Sequence, residues 1–357
     1  MATPRWLLMG FLLSTSACAT AQWSCTVINP PGATGSRGEN FGDGSELGYA
    51  VFGGADHAGI WSGPANSWTD LNPPGAAYSL ASREVAGVIV GTVSWYSNSA
   101  HAAIWNGAAN PPIDLNPAGM AGSQAFAMSQ GVECGYVFDG KSVRACTWTG
   151  TASSCTVLEP TGTQSYAFDI LNGVEAGALA LSVGQPFHAV LWSGSTGSYV
   201  DLEPAAANGS EALSLDGQQE CGYATVNGVA RASLWSGSSA SWVNLDPTGS
   251  TQSWAAAVKD GVEVGNARFN GVIHAGYWTG SASSWVDLSG FVPSGFSNTR
   301  AEDIWQANGR TFIVGYGTNT MTGQDQALLW ASPTPEPVSV LLVGAGALGL
   351  TIRRRAR

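Results

Sequence analysis

Four histidines are the first residues of this sequence whose type and spacing could support acid–base or metal chemistry. Each opens a pentad that ends in tryptophan: His57, His101, His188 and His274. Other copies of the pentad place Arg144, Arg231 and Gln326 at the same position. A metal site needs several ligands that converge on one point, and arginines among equivalent positions oppose a shared cation. We therefore expect the histidines to be structural and predict no metal site.

Four aspartates recur in the same way: Asp70, Asp114, Asp201 and Asp287. A pair of carboxylates held ~5–10 Å apart can hydrolyse glycosides, and clustered carboxylates can bind calcium. Each of these acids, however, belongs to a different copy of the repeat, and Val157 and Asn244 replace them elsewhere. We expect them to accept hydrogen bonds from backbone N–H groups of the following turn. No nucleophile elbow, phosphate loop, dinucleotide fingerprint or metalloprotease motif is present. The sequence thus predicts no catalytic residue and no cofactor.

Five cysteines lie beyond the first 21 residues: Cys25, Cys134, Cys146, Cys155 and Cys221. Cys146 and Cys155 flank a short turn, at a separation that suits a cross-strand disulfide. That pair is the preferred bridge, and Cys134–Cys146 is the alternative. Cys25 and Cys221 are expected to remain thiols.

Four aromatic residues break the repeat pattern and are therefore candidates for ligand stacking: Trp95, Tyr96, Trp254 and Trp305. Aromatic faces beside Asn, Asp and Ser are surfaces on which sugar rings stack. The tryptophans that end the pentads recur in every copy, so we expect them to form a core between sheets.

The elements that must position these residues are set by an internal repeat. The pentad tryptophans are spaced 44, 43, 44, 43, 43 and 52 residues apart. Each unit has an apolar run with a central glycine before the pentad, a short Asp-Leu-x-Pro segment after it, and in most copies an opening Ser-x-Ala. Four strand-sized pieces in ~43 residues match one blade of a β-propeller.

The two ends of the repeat region indicate how the ring closes. Residues Cys25 to Asn29 match the fourth strand of a unit but stand before any first strand. Residues Gln326 to Trp330 form a third strand with no fourth behind it. The sequence therefore predicts a seven-bladed all-β propeller over residues 22–331, in which the N-terminal strand completes the last blade.

The segments outside the repeats read as export signals. Residues 1–21 carry Arg5, an apolar stretch and the small-residue site Ala19-Thr20-Ala21, which is typical of a signal peptide removed by signal peptidase. The tail, residues 332–357, holds Pro335-Glu336-Pro337, an apolar segment over 338–352 and a basic end over 353–357. Fifteen apolar residues make a short transmembrane helix, and the arginines favour a cytoplasmic end.

The order Pro335-Glu336-Pro337, apolar helix and arginine cluster resembles the PEP-CTERM sorting signal. This resemblance implies export from a Gram-negative cell that makes exopolysaccharide, an inner-membrane intermediate, and processing by an exosortase-type enzyme before arrival at the surface or matrix. The pentads and Asp-Leu-x-Pro segments resemble the HAF-type extracellular repeat, although its usual Phe is absent here at Gly59, Ala103 and Val190. That family brings no catalytic residues.

Charge excludes one class of partner. Residues 22–337 hold 9 basic and 25 acidic residues, a formal charge of −16, so binding of nucleic acid through phosphate contacts is not expected.

The sequence favours a non-enzymatic exported protein of the surface or extracellular matrix. Such a protein would be a structural propeller, or one that binds glycan or protein, with exopolysaccharide as a candidate partner. The alternative is a propeller hydrolase or lyase acting on exopolysaccharide, which several acids with His or Tyr at one mouth of the channel would favour.

Overall fold

The computed structural model describes residues 22–63, 67–96, 99–107, 111–159, 164–194 and 196–334. Within them, 28 strands form seven antiparallel four-stranded sheets. The innermost strand of each sheet packs on the preceding blade, and the seventh blade packs on the first, so the sheets form a closed ring. The predicted seven-bladed propeller is confirmed. The predicted signal peptide and the helix and sorting motif of the tail lie outside the described residues.

Blades 1 to 6 run outward in chain order from an innermost strand to a short outer strand, and blade 7 takes its outer strand from the N-terminus. Blades 1 to 3 are β2 (Gly35–Phe41), β3 (Glu46–Phe52), β4 (Ala55–Trp61) and β5 (Thr69–Asp70); β6 (Tyr78–Val85), β7 (Val88–Tyr96), β8 (Ser99–Asn106) and β9 (Ile113–Asp114); and β10 (Gly122–Ser129), β11 (Val132–Phe138), β12 (Val143–Trp148) and β13 (Thr156–Val157). Blades 4 and 5 are β14 (Ser165–Leu171), β15 (Val174–Ala180), β16 (Phe187–Trp192) and β17 (Tyr199–Asp201); and β18 (Ser210–Asp216), β19 (Gln219–Val226), β20 (Val229–Trp235) and β21 (Val243–Asn244).

Blade 6 comprises β22 (Gln252–Lys259), β23 (Val262–Phe269), β24 (Val272–Trp278) and β25 (Val286–Asp287), and blade 7 comprises β26 (Phe296–Ala307), β27 (Arg310–Asn319), β28 (Asp325–Ala331) and the N-terminal β1 (Ser24–Val27). Short 3₁₀ helices occur at Ala152–Ser154, Ser239–Ser241, Ala282–Ser284 and Ser289–Phe291. No helix among the described residues is long and apolar enough to cross a membrane.

The ring closes where the sequence predicts. Strand β1 pairs antiparallel with β28, with Cys25 opposite Trp330, and Ile28 N–H donates to the carbonyl of Ala327 at 2.9 Å. The N-terminal strand is thus the fourth strand of a sheet whose other three strands come from the end of the repeat region. This pairing leaves no open sheet edge at the seam.

The repeated tryptophans and serines hold neighbouring blades together. All seven pentad tryptophans are essentially inaccessible to solvent, as the sequence predicts. The serine that opens each innermost strand accepts a hydrogen bond from a backbone N–H in the third strand of the blade before it, for example Ala58 N to Ser79 Oγ at 3.0 Å. Six blades use serine for this link and the seventh uses Thr299. Each link satisfies a buried backbone donor at a blade junction.

The central glycine of each second strand has a steric reason. Every innermost strand contains a β-bulge, and its register with the second strand skips one residue. A Cβ at Gly135 would lie 1.9 Å from the carbonyl oxygen of Gln124, which is a clash with backbone. The six equivalent glycines would meet the corresponding carbonyl at 1.9–2.1 Å. Glycine is therefore what allows a bulge in every blade.

Candidate functional site: the central channel

The seven bulges build the wall of a chamber in the central channel. The residue skipped in each register lines a cavity of about 510 Å³, which we call the mouth chamber. Around the ring from blade 1 to blade 7, these residues are Glu39, Ser82, Phe126, Phe168, Leu213, Ala256 and Glu302. A bulge re-aims a side chain that strand alternation alone would place elsewhere. The same frame therefore presents seven different side chains to one space.

One side of the mouth chamber is acidic. Glu39 and Glu302 come from adjacent blades, and Asp56 and Tyr49 also line the cavity. Within the described part of the chain, neither glutamate makes a hydrogen bond or an ion pair. Burial, and then repulsion from Glu39, raises the pKa of Glu302 to about 8, while burial also raises the pKa of Glu39. At neutral pH the pair therefore holds a proton.

Two arginines, Arg37 and Arg300, act on the acidic side, and Arg37 is already engaged elsewhere. The Arg37 guanidinium donates to Asp325 Oδ2 at 2.6 and 3.0 Å, and its carbon lies 4.3 Å from the centre of the Tyr316 ring. Arg300 and Arg37 oppose the rise in the pKa of Glu302, and Arg37 opposes that of Glu39, but neither arginine bonds a glutamate within the described residues. The acidic side keeps its carboxylate oxygens available to a guest.

The opposite side of the mouth chamber is aromatic. Phe126 and Phe168 line the cavity from blades 3 and 4, with ring centres 5.7 Å apart. Tyr166 stacks on Phe168 at 5.7 Å, and Tyr136 packs against Phe126 at 5.8 Å. These contacts fix the two phenyl rings, so the chamber offers a preformed apolar face opposite the carboxylates.

An ion cluster closes the channel below this chamber. Arg83 reaches across from blade 2, and its two terminal nitrogens lie 3.5 Å from Asp303 Oδ2 in blade 7 and 3.5 Å from Asp169 Oδ1 in blade 4. Both aspartates are buried and accept backbone N–H bonds, Asp303 from Phe41 and Asp169 from Leu215. We call these three residues the waist.

Beyond the waist lies a second cavity of about 400 Å³, the far chamber. Arg83, Asp169 and Asp303 line both cavities, so the waist separates them. Glu84 and Lys259 line the far chamber, and Lys259 Nζ bonds Asp216 at 2.9 Å. A guest in the mouth chamber therefore meets these charged side chains at the inner end of the chamber.

The structure does not bring the four predicted stacking residues together. Trp305 lies in blade 7 and lines the far chamber. Trp95 is in blade 2, where it packs edge-on against His101 at 6.0 Å, and Trp254 is partly exposed in blade 6. Tyr96 ends β7 opposite Ser99. Their role in ligand stacking stays a prediction.

The predicted histidines and aspartates form pairs on the outer strands. In each of four blades, His Nδ1 lies 2.6–2.9 Å from an Asp Oδ2: His57–Asp70, His101–Asp114, His188–Asp201 and His274–Asp287. The other carboxylate oxygen accepts a turn N–H at 2.8 Å, as expected. Sequence reasoning missed the pairing, although a constant 13-residue spacing was a signal for it. No cluster of three potential metal ligands occurs among the described residues.

All five described cysteines are free thiols in the structure. Cys146 and Cys155 nevertheless meet, and a hydrogen bond from Cys146 lowers the pKa of Cys155. Burial raises the pKa of Cys146 and Cys134 well above the usual range. The preferred disulfide thus joins two thiols that are in contact, and its formation stays a prediction.

Solved structures share this fold over most of the chain. A *Mycobacterium tuberculosis* puromycin-hydrolysing peptidase matches 85% of this chain and 55% of its own, with TM-score 0.57 and 14% identity. A prolyl endopeptidase matches 89% of this chain and 51% of its own, with TM-score 0.54 and 10% identity. The β-propeller domain of the trilobed protease of *Pyrococcus furiosus*, described as an open velcro topology, matches 87% of this chain and 99% of its own, with TM-score 0.53 and 10% identity.

The first two peptidases are about twice as long as the region that this chain spans. No protein-family model and no curated protein sequence matches the chain. At 10–14% identity the likeness shows the fold.

These comparisons correct the prediction of a non-enzymatic surface or matrix propeller and of a chain that is not an enzyme, because the propellers that match belong to peptidases. The mouth chamber itself is not a ring of equivalent side chains, because unpaired acids and a tyrosine line one side of it.

Proposed function

We propose that this chain serves peptide hydrolysis, as a propeller whose mouth chamber binds the amino-terminal residue of a peptide. The observation that carries the proposal is the two-sided wall of that chamber. Two glutamates without hydrogen-bonding partners face one side, and two fixed phenyl rings face the other. A peptide amino terminus presents the complementary pair of groups, an ammonium and a side chain.

The ammonium belongs beside Glu39 and Glu302. Two neighbouring carboxylates repel each other, and a cation between them removes that repulsion. An ammonium also supplies the three N–H donors that the free carboxylate oxygens lack. The body of the chain is strongly acidic, which draws cationic ligands towards it over long range.

The side chain belongs against Phe126 and Phe168. A cavity of about 510 Å³ is of the size that holds small ligands, and it accommodates one or two residues with their side chains. Aromatic or aliphatic side chains bury most area on a phenyl wall. Since the waist closes the chamber from below, the peptide enters with its amino end first.

Hydrolysis itself is proposed from the comparisons. The matching peptidases extend for about as long again as the region shared with this chain. The propeller described here then supplies capture and orientation of a peptide, which raises the effective concentration of the substrate at a hydrolytic centre.

Calorimetric titration of the full chain with the tripeptide Phe-Gly-Gly tests the proposal. We expect binding, and at least tenfold weaker binding of the N-acetylated tripeptide. Because an ammonium beside Glu302 favours the charged carboxylate, binding at pH 7 should release a proton, and the measured heat should depend on the ionisation enthalpy of the buffer. Glu302→Gln should abolish this dependence and weaken binding.

The matched control is Glu84→Gln in the far chamber, which should bind like the wild type. Equal binding of the free and acetylated tripeptides, or equal weakening by Glu84→Gln and Glu302→Gln, would overturn the proposal.

We also propose that the chain is exported and sorted through its tail, with signal peptidase and an exosortase-type enzyme as its processing partners. The support is the sequence of residues 1–21 and 335–357. Glu336→Ala leaves the apolar segment and arginines in place, so membrane insertion should survive while the full-length form accumulates in the inner membrane. Recovery of the wild-type protein at the cell surface with Arg353–Arg357 intact would contradict processing.

A further inference from the structure

One of the four histidine pairs is extended by a serine. Ser99 Oγ lies 2.8 Å from His101 Nε2, and His101 Nδ1 lies 2.9 Å from Asp114 Oδ2. Ser99 and His101 are two residues apart on β8 and so share a face of the sheet. Asp114 lies on the neighbouring strand β9. A hydroxyl on one ring nitrogen and a carboxylate on the other are the connections of a serine nucleophile, its base and the group that orients the base.

Blade 2 alone has this extension among the four blades with a histidine. The residue two positions before the histidine is Ala55 in blade 1, Pro186 in blade 4 and Val272 in blade 6. Their side chains have no hydroxyl. The His–Asp pair is therefore a property of the repeat, whereas the serine is a departure from it.

The supporting contacts hold the imidazole and the carboxylate in place. Trp95 packs edge-on against the His101 ring, with ring centres 6.0 Å apart. Asp114 Oδ1 accepts the backbone N–H of Asn116 at 2.8 Å, so its other oxygen stays directed at His101. The His101 side chain is 21% exposed and the Asp114 side chain 47%, and Ser99 is half-buried, so none of the three residues is fully buried.

The hydroxyl hydrogen of Ser99 has two acceptors, and the protonation of His101 decides between them. Ser99 Oγ also lies 2.9 Å from the carbonyl oxygen of Ala121. In neutral His101, the Nδ1–H donates to Asp114 and the free Nε2 accepts the hydroxyl hydrogen. In protonated His101, Nε2–H donates to Ser99, and the hydroxyl turns to Ala121. Only the neutral form activates the serine.

We propose that Ser99, His101 and Asp114 form a nucleophilic centre that hydrolyses activated acyl esters. Ser99 Oγ forms a bond to the acyl carbon as its proton passes to His101 Nε2. The bond between the acyl carbon and the leaving oxygen then breaks, and the leaving oxygen takes that proton. Water next attacks acyl-Ser99, gives a proton to Nε2 and releases the carboxylic acid, while Ser99 recovers the proton.

The centre lies at the same end of the ring as the mouth chamber. Asp56 follows Ala55, the repeat equivalent of Ser99, and lines that chamber from the start of β4. The acyl-transfer inference does not depend on peptide capture, since it rests on different residues, and a small ester does not need the chamber.

The test uses the full chain with two probes, an alkyl fluorophosphonate and *p*-nitrophenyl acetate. We expect the phosphonate to label Ser99, as located by peptide mass spectrometry, and the ester to be hydrolysed. Ser99→Ala should remove the label, and both Ser99→Ala and His101→Gln should lower ester hydrolysis at least tenfold, a typical contribution of general base catalysis being ~10²–10⁴.

The matched control is His188→Gln, which removes the same type of His–Asp pair from a blade that lacks the serine. This variant should keep both label and rate, and near-ultraviolet circular dichroism should show that all variants are folded. Labelling that persists in Ser99→Ala, or an equal loss of rate in His188→Gln and His101→Gln, would overturn the proposal. Loss of ester hydrolysis in Ser99→Ala with intact tripeptide binding separates this inference from the proposed function.

Discussion

Two kinds of position lie within four residues of each other on every innermost strand. The opening position is serine in six blades and threonine in the seventh, and it always bonds the preceding blade. Three residues later, the bulged position is glutamate, serine, phenylalanine, leucine or alanine. The first kind belongs to the frame and the second to the channel wall.

This difference shows how a repeat protein acquires a site. The frame must satisfy the same contacts seven times, so its residues recur. The channel wall meets a single shared space, so each blade can contribute a different group. Functional groups are therefore expected where the blades differ in sequence, at the bulged positions and at Ser99.

Replacement of a frame tryptophan should give the largest effect in this comparison. Trp148→Ala would leave a large cavity in a core where the side chain is fully buried, and we expect a loss of about 3–5 kcal/mol in the free energy of unfolding. Trp254→Ala, at a non-repeating and partly exposed site, should cost clearly less. Urea denaturation followed by circular dichroism measures both, and equal losses would remove the distinction between frame and non-repeating positions.

The frame could be predicted from the sequence because its signals are local and repeated. The tryptophan spacing set the blade count, and the orphan strand at each end set the closure. The chamber could not be predicted in this way. A bulge lets successive residues such as Glu39 and Asn40 line one cavity, whereas strict strand alternation sends successive side chains to opposite faces. The bulged position differs in residue type between blades, and this variation was a signal in the sequence. Only the closed ring, however, shows that the bulged positions face a channel.

Blade 3 departs from the frame in a way that can be used to stabilise it. Cys155 stands where other blades have Trp68, Trp242 and Trp285, and its thiol meets Cys146. Because the pKa of Cys155 is lowered, mild oxidation should form this disulfide first, with a gain of about 2–3 kcal/mol if strain is small. Peptide mass spectrometry without reduction checks the link, and Cys155→Ser is the control. A Cys25–Cys221 link would contradict the expectation.

A methyl group at a bulge should disturb both kinds of position at once. Gly135→Ala would place a Cβ against the Gln124 carbonyl, which cannot give way without moving the bulge that carries Phe126. We expect a loss of about 1–3 kcal/mol, typical of overpacking, and weaker tripeptide binding in the folded protein. Gly290→Ala is the matched control, because its Cβ would meet nothing within 4 Å. If both variants behave alike, the glycine has no role in supporting the bulge.

The smallest effect concerns pH, and it separates Glu46, a buried glutamate paired with the pentad residue Trp61, from the channel residue Glu302. Burial raises the pKa of Glu46 to about 7, although a backbone N–H of Gly63 opposes the shift. Burial and Glu39 raise the pKa of Glu302 to about 8. An unfolded glutamate has a pKa of ~4.3, so above that pH the folded protein holds protons that the unfolded chain has lost. Stability should therefore fall as the pH rises above about 4.5. The fall due to Glu46 should end near pH 7, and the fall due to Glu302 near pH 8.

Replacement by glutamine distinguishes the two contributions. Glu302→Gln removes a carboxyl that bonds nothing in the described fold, so it should flatten the fall between pH 7 and 8 without loss of stability at pH 5. Glu46→Gln disturbs a buried carboxyl that accepts the Gly63 N–H, so it should flatten the lower part of the curve and destabilise the protein at every pH. The effect at Glu302 is small because that side chain is partly exposed and solvent screens its charge. Urea unfolding from pH 5 to 9 measures both curves. A Glu302→Gln curve parallel to that of the wild type would mean that the mouth chamber holds no shared proton, and the buffer-dependent heat expected for ammonium binding would then have no source.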